Sequence, residues 1–227
     1  MNPHLVEIAF ILDRSGSMVS LREQAISGFN HFLADQAREP GDARLTLVLF
    51  DDEYLVPVDA APLRDIAPLS ATTYVPRNTT ALLDAIGHTV DRLGQRLANT
   101  PERERPSQVI VAILTDGLEN ASTRYTWADI ATRIRHQQEK YNWRFLFLGA
   151  NQDAIATAAR LNIGGADAAT FRASDKGLAA STRAVTRRTT AIRQAARGHL
   201  VGADLSKPMQ TILAEEDLGA AAPMNQP

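Results

Sequence analysis

The 227 residues contain no cysteine, which excludes a disulfide framework, thiolate catalysis and thiolate-bound metal. Neither sign of charge dominates. Lys and Arg number 24 against 26 Asp and Glu, a formal net charge of -2, so global basicity gives no pull toward nucleic acid. Long hydrophobic runs are missing too: the apolar stretch Leu5 to Leu12 is interrupted by Glu7 and is too short to span a bilayer. No basic stretch precedes it and no small-residue cleavage site follows, so it does not read as a signal peptide. The composition leads us to expect a soluble, cytoplasmic protein that does not engage membranes. Histidines 4, 31, 88, 136 and 199 lie scattered, with no pair at ligand spacing. The phosphate loop G-x-x-x-x-G-K-[ST] and the hydrolase elbow G-x-S-x-G are both absent, which excludes those two nucleotide and acyl-transfer chemistries.

What is present is an alternation of buried strands and amphipathic helices. Val6 to Leu12, Val109 to Leu114 and Arg144 to Leu148 are short, nearly continuous apolar runs. Such runs fit parallel strands covered on both faces. Between them, Leu21, Ala25, Phe29, Phe32 and Leu33 recur at helical spacing, as do Leu82, Leu83, Ile86, Val90, Leu93 and Leu97. Thr126 with Asp129 three residues on makes an acidic variant of the helix N-terminal box before Ile130 and Ile134. Leu45 to Phe50 and Tyr54 to Val58 are separated only by Asp51, Asp52 and Glu53, which permits an antiparallel hairpin and no crossover. Pro57 sends the second arm to a sheet edge, because it lacks the N–H that a central strand needs. The expectation is an α/β, doubly wound, mostly parallel six-stranded sheet with one antiparallel edge strand and helices on both faces.

Beyond Gly149 a helix around Asp153 to Leu161, a strand near Ala168 to Phe171 and a last helix from Asp175 to Arg197 complete one domain over residues 1–197. The last helix shows only a narrow apolar stripe of Leu178, Val185 and Ile192 at sevenfold spacing. Its arginines 183, 187, 188, 193 and 197 read as a solvated face. Residues 198–227 form a C-terminal extension, partly flexible, in which the pattern weakens and the segment from Gly219 to Pro227 reads as a tail.

Ligands of such sheets sit beyond the carboxyl ends of the strands. After the first strand come Asp13, Ser15 and Ser17, whose alternate positions in an extended loop turn three oxygens toward one point. After the strand ending at Leu114 come Thr115, Asp116 and Gly117, while Arg77-Asn78-Thr79-Thr80 opens the intervening helix. Hydroxyls and carboxylates without imidazole or thiolate make a hard-oxygen site, suited to Mg²⁺, Mn²⁺ or Ca²⁺. Taken singly, the first loop also reads as a plain turn with Asp13 capping a helix. Asp51, Asp52 and Glu53 read as turn residues, Asp84 and Asp91 as solvated or capping, and Glu119 and Asn120 as ordinary loop residues.

Asp13-Arg14-Ser15-Gly16-Ser17-Met18 resembles the D-x-S-x-S signature of von Willebrand factor A-type (vWA) domains, in a form common among bacterial stand-alone members. Thr80-Ala81-Leu82-Leu83-Asp84-Ala85-Ile86 is similar to the family's G-x-T-A-L-Y-D-A-I segment, and Leu114-Thr115-Asp116-Gly117 to its I-T-D-G segment. The resemblance spans roughly Val6 to Arg197, with the three motifs in family order. It implies a metal ion-dependent adhesion site (MIDAS) with Mg²⁺, Mn²⁺ or Ca²⁺. Ser15, Ser17 and Thr80 would offer hydroxyls, Asp13 and Asp116 would bind directly or through water, and Arg14 would point away. The family often has glycines before the threonine. Here Arg77-Asn78-Thr79 make that loop stiffer and more basic.

The resemblance further implies a binding module, not an enzyme. A partner protein would supply an Asp or Glu to the metal, as in systems containing AAA+ ATPases of the MoxR type or tellurite-resistance-like stress components. The alternative is a metal-dependent hydrolase or phosphoryl-transfer enzyme, which needs a general base from Glu119, Asp51 or Asp52. A third reading, nucleic-acid binding by the arginines of the last helix, is disfavoured by the charge balance. In related adhesion domains the C-terminal helix slides, and the narrow stripe allows the same coupling here, with a fixed helix that merely covers the sheet as the alternative.

Overall fold

A computed structural model describes residues 1–150, 153–199 and 202–219. Its six strands are β1 (Asn2–Asp13), β2 (Asp42–Phe50), β3 (Tyr54–Pro62), β4 (Pro106–Thr115), β5 (Arg144–Ala150) and β6 (Ala168–Phe171). They lie in the order β3-β2-β1-β4-β5-β6. All pairs are parallel except β2 with β3. Pro57 falls on that edge strand, in a stretch where the register shifts between Leu47 and Leu49. The expected six-stranded, doubly wound α/β sheet with one antiparallel edge is therefore present.

The helices among the described residues are α1 (Arg22–Arg38), α2 (Leu82–Ala98), α3 (Trp127–Tyr141), α4 (Ala154–Arg160), α5 (Asp175–Ala196) and α6 (Met209–Gly219). Strand alternation decides which helix meets which face. Ile8, Phe10 and Leu12 of β1 share a core with Phe29 and Phe32 of α1 and Leu178 and Val185 of α5. Ala9 and Ile11 face Leu82, Ile86 and Val90 of α2, with Ile130 and Ile134 of α3. The box at Thr126 and Asp129 forms in full and starts α3. From β1 the chain turns to β2 on one side and, after the hairpin and α2, returns to β4 on the other. The carboxyl ends of β1 and β4 thus flank the topological switch point, where doubly wound folds open a crevice.

The last helices differ from expectation. α5 does not carry a narrow stripe: it buries Ala180, Ser181, Thr182, Ala184, Thr189 and Ala191 besides the three predicted positions. At its crossing with α1, a Cβ on Gly28 would lie 2.7 Å from Thr182 Oγ1, so the two helices approach closely because residue 28 has no side chain. Nor are the arginines of α5 a solvated face. Arg193 is 1 % exposed and donates to the carbonyls of Gln36, Glu39 and Gly41, while buried Arg188 donates to those of Leu205 and Lys207. Arg187 pairs with Asp204, Glu215 and Glu216. Residues 36–41 at the end of α1 receive Arg193, while Arg187 and Arg188 are met by residues 202–208 and by the helix that follows them, α6, which the sequence pattern did not reveal. Its Met209, Ile212 and Leu213 join the α1–α5 core, and its acidic side chains meet the α5 arginines. Residues 220–227 of the predicted tail lie outside the described residues. No helix among the described residues is long and apolar enough to cross a membrane.

Candidate metal centre

Three loops meet over the ends of β1 and β4. Asp13 is the last residue of β1 and is fully buried. Its Oδ1 accepts from the Ser15 N–H at 2.7 Å and its Oδ2 from the Thr115 hydroxyl at 2.5 Å. Tyr74, buried beneath the loop, donates its hydroxyl to the Asp13 carbonyl at 2.5 Å. The Ser15 and Ser17 hydroxyls lie 3.1 Å apart, and Ser17 donates to Asp116 Oδ1 at 2.5 Å. Ser15 and Thr80 are buried, Asp116 is half-buried and Ser17 is exposed, so the cluster opens outward on one side.

Gly117 shows how tightly the three loops converge. A Cβ built on it would stand 2.8 Å from Thr80 Oγ1 and 3.5 Å from both Ser15 Oγ and Ser17 Oγ. One point thus has a hydroxyl from the second loop and two from the first around it, and the residue of the third loop facing it has no side chain. Backbone bonds hold the loops in register: Gly16 N–H to Asn78 O at 3.0 Å, Arg77 N–H to Arg14 O at 2.8 Å, and Asn120 N–H to Thr80 O at 3.0 Å. Asn78 sits at φ 57°. That left-handed conformation is what a glycine would supply, and asparagine is among the side chains that tolerate it best. The stiffer loop expected from Arg77-Asn78-Thr79 therefore keeps a glycine-like bend.

The electrostatics are those of a site waiting for positive charge. Burial pushes the Asp13 carboxyl up to about 6, against the opposing hydrogen bonds from Thr115 and Ser15. Burial also raises Asp116, opposed by the Ser17 hydroxyl. No group of three or more His, Cys, Asp or Glu able to hold a metal is found among the described residues, because this cluster has two carboxylates and otherwise hydroxyls. An all-oxygen donor set with two carboxylates fits a hard divalent cation. The residues present fit the metal implied by the motifs.

All five predicted residues, Asp13, Ser15, Ser17, Thr80 and Asp116, belong to these three converging loops. Thr79 is exposed, whereas Thr80 is the threonine that faces Gly117. Several neighbours do more than their sequence suggested. Asp51 is no plain turn residue: it is fully buried between Arg14 and Arg77. Asp84 is not solvated but accepts from the backbone N–H groups of Thr123, Arg124 and Tyr125. Asp91 pairs with Arg133 and accepts from Tyr125. Glu119 accepts from Leu83, Ala121 and Ser122, and Asn120 Oδ1 from the Thr80 N–H. None of these contacts was legible, since each joins residues distant in sequence or depends on how a loop closes.

A comparison with curated protein sequences finds no match. Among solved structures, proximal thread matrix protein 1 from the mussel byssus, with a zinc-occupied MIDAS motif, has a TM-score of 0.56 at 16% identity, covering 83% of this chain and 47% of that one. A von Willebrand factor type A protein from Catenulispora acidiphila scores 0.52 at 19% identity, covering 82% and 42%. The manganese-loaded TRAP protein of Plasmodium vivax scores 0.51 at 15% identity, covering 76% and 70%. Identities this low show the fold alone, and the chain spans less than half the length of the first two. The sequence profile of the von Willebrand factor type A domain matches residues 7–184. That match runs through all three loops of the cluster and through the sheet that presents them: the chain belongs to the von Willebrand factor type A domain family.

Proposed function

We propose that the chain is a metal-dependent protein-binding module in which Asp13, Ser15, Ser17, Thr80 and Asp116 hold one divalent cation, Mg²⁺ or Mn²⁺. The observation that carries this reading is the convergence of three hydroxyls from two loops on the side-chain-free Gly117 of the third, beside two carboxylates. Two carboxylates only balance a dication, and hydroxyl ligands add no charge. The bound ion would supply a Lewis-acidic point that attracts an anionic oxygen. Asp13, held by Ser15 and Thr115, fixes the floor of the site, and Ser17 and Asp116 lie at its open side. The ligand best suited to such a point is an Asp or Glu side chain of a partner protein.

The enzyme alternative loses support from the same geometry. The bases it would need are engaged: Glu119 by four donors, Asp51 by two arginines, and Asp52 by Asn78 at 2.9 Å. Titration calorimetry of Mg²⁺ and Mn²⁺ tests the proposal. The chain should bind one ion, and Asp13→Ala should abolish binding while circular dichroism shows a folded domain. A carboxylate-bearing peptide should then bind only in the presence of the ion. Unchanged metal affinity in Asp13→Ala would sink the reading.

A further inference from the structure

We infer that Asp51, at the tip of the β2–β3 hairpin, is a positioning residue that keeps two arginines from competing with the cation. The inference rests on the metal-site reading above. Asp51 makes no side-chain hydrogen bond to any of the five proposed ligands; its carboxylate is fully buried and serves Arg14, Arg77 and its own hairpin. Each arginine belongs to a different metal loop. Arg14 lies between Asp13 and Ser15 in the chain, and its Nη2 is 3.3 and 3.2 Å from the two Asp51 oxygens. Arg77, three residues before Thr80, places Nε 2.8 Å from Asp51 Oδ2. Glu53 completes the cluster by pairing with both arginines. The Asp51 carbonyl accepts from the N–H of Ala81, the residue after Thr80, at 2.8 Å. The Arg14 N–H donates to the Phe50 carbonyl at 2.8 Å.

The charge argument follows from the sequence as much as from the geometry. A D-x-S loop with arginine at its second position carries a guanidinium one residue from two proposed ligands. Unpaired, that charge would repel a dication strongly in this partly buried setting and would compete for the Asp13 carboxylate. Asp51 and Glu53 cancel Arg14 and Arg77 charge for charge, and Asp51 binds the Arg14 guanidinium on the hairpin. Removing Asp51 leaves Arg14, itself 6 % exposed, with only the half-exposed Glu53 at 3.4 Å. A merely structural ion pair behaves differently. Glu7 with Arg96 is such a pair, comparably buried on the acidic side but placed toward the start of β1, away from the loops.

Calorimetric titration of Mg²⁺, repeated with Mn²⁺, separates the two roles when run on wild type, Asp51→Asn, Glu53→Gln, Glu7→Gln and the double variant Arg14→Gln/Asp51→Asn. Each is titrated at a temperature where circular dichroism shows it folded. Asp51→Asn should weaken binding about tenfold or more, the range set by residues that orient metal ligands without touching the ion. Glu7→Gln should leave affinity within about twofold while lowering its unfolding temperature. The double variant, which removes the stray cation with its partner, should recover to within about threefold of wild type. Glu53→Gln, altered at an exposed position, should weaken binding about two- to fivefold and serves if Asp51→Asn does not fold. The inference is overturned if Asp51→Asn binds as wild type does, if the double variant is as weak as Asp51→Asn, or if Glu53→Gln is unchanged. A wild-type chain that binds neither ion removes the metal-site reading itself, a result distinct from all of these.

Discussion

Asp13→Asn should make the metal-free protein more stable while destroying its response to metal. The Asp13 carboxyl is fully buried, and burial raises it from 3.8 to about 6. A shift of roughly two units corresponds to about 3 kcal/mol lost at pH 7 by keeping the group ionised in the fold. The sign follows from the direction of the shift. With the folded value above the unfolded one, the folded state holds the proton more tightly. Stability is therefore complete below about 3.8 and is lost as pH rises through about 6. Asparagine keeps the Ser15 N–H bond, and its amide can donate to the Thr115 hydroxyl, which also lies 3.2 Å from the Gly117 carbonyl. The net gain in EDTA at pH 7 should be about 1–3 kcal/mol, or about 2–4 °C in unfolding temperature per kcal/mol for a chain of this size. At pH 4 the two proteins should be nearly equal. Mg²⁺ at 100 times its Kd should add about 2.7 kcal/mol to wild type and nothing to the variant. Urea unfolding in EDTA and in Mg²⁺, at both pH values, measures all four quantities. A variant less stable than wild type in EDTA at pH 7, or one that Mg²⁺ stabilises equally, refutes the reasoning.

Gly117→Ala should abolish Mg²⁺ binding with a stability loss of only about 1 kcal/mol, because its methyl meets the Thr80 hydroxyl at 2.8 Å and one rotamer must give way; unchanged calorimetric affinity would count against the convergence of the loops at that point. Thr80→Ala should weaken metal binding at a cost of less than about 1 kcal/mol in urea unfolding, since Thr80 makes no helix cap here. Ile212→Ala should cost about 2–5 kcal/mol in the same assay, because that side chain is fully buried between α6 and the core. Hydrogen exchange along α5 should be the same with and without Mg²⁺, because buried Arg188 and Arg193 tie it to six backbone carbonyls; a Mg²⁺-dependent change there would revive the sliding helix that the sequence pattern suggested.

The sequence by itself determined the sheet and its antiparallel edge, and it named the five residues that the loops bring together at the candidate site. Each rests on a short-range signal: continuous apolar runs for doubly covered strands, Pro57 for the edge, and D-x-S-x-S, Thr80 and Thr115-Asp116-Gly117 at strand ends or a helix start. Only the tertiary structure decided what surrounds that site. Asp51 is a turn residue by its neighbours in the chain and a buried counter-ion by its neighbours in space, and nothing local distinguishes the two. The α5 helix shows the same limit on a larger scale. Its alanines, threonines and arginines give a weak apolar period, so its outer face reads as solvated until the end of α1, residues 202–208 and α6 close around it and offer carbonyls and carboxylates to those arginines. Periodicity reports which face of an element is apolar. It is silent on polar groups that are buried because a distant segment pairs with them, and that pairing exists only once the chain has closed on itself.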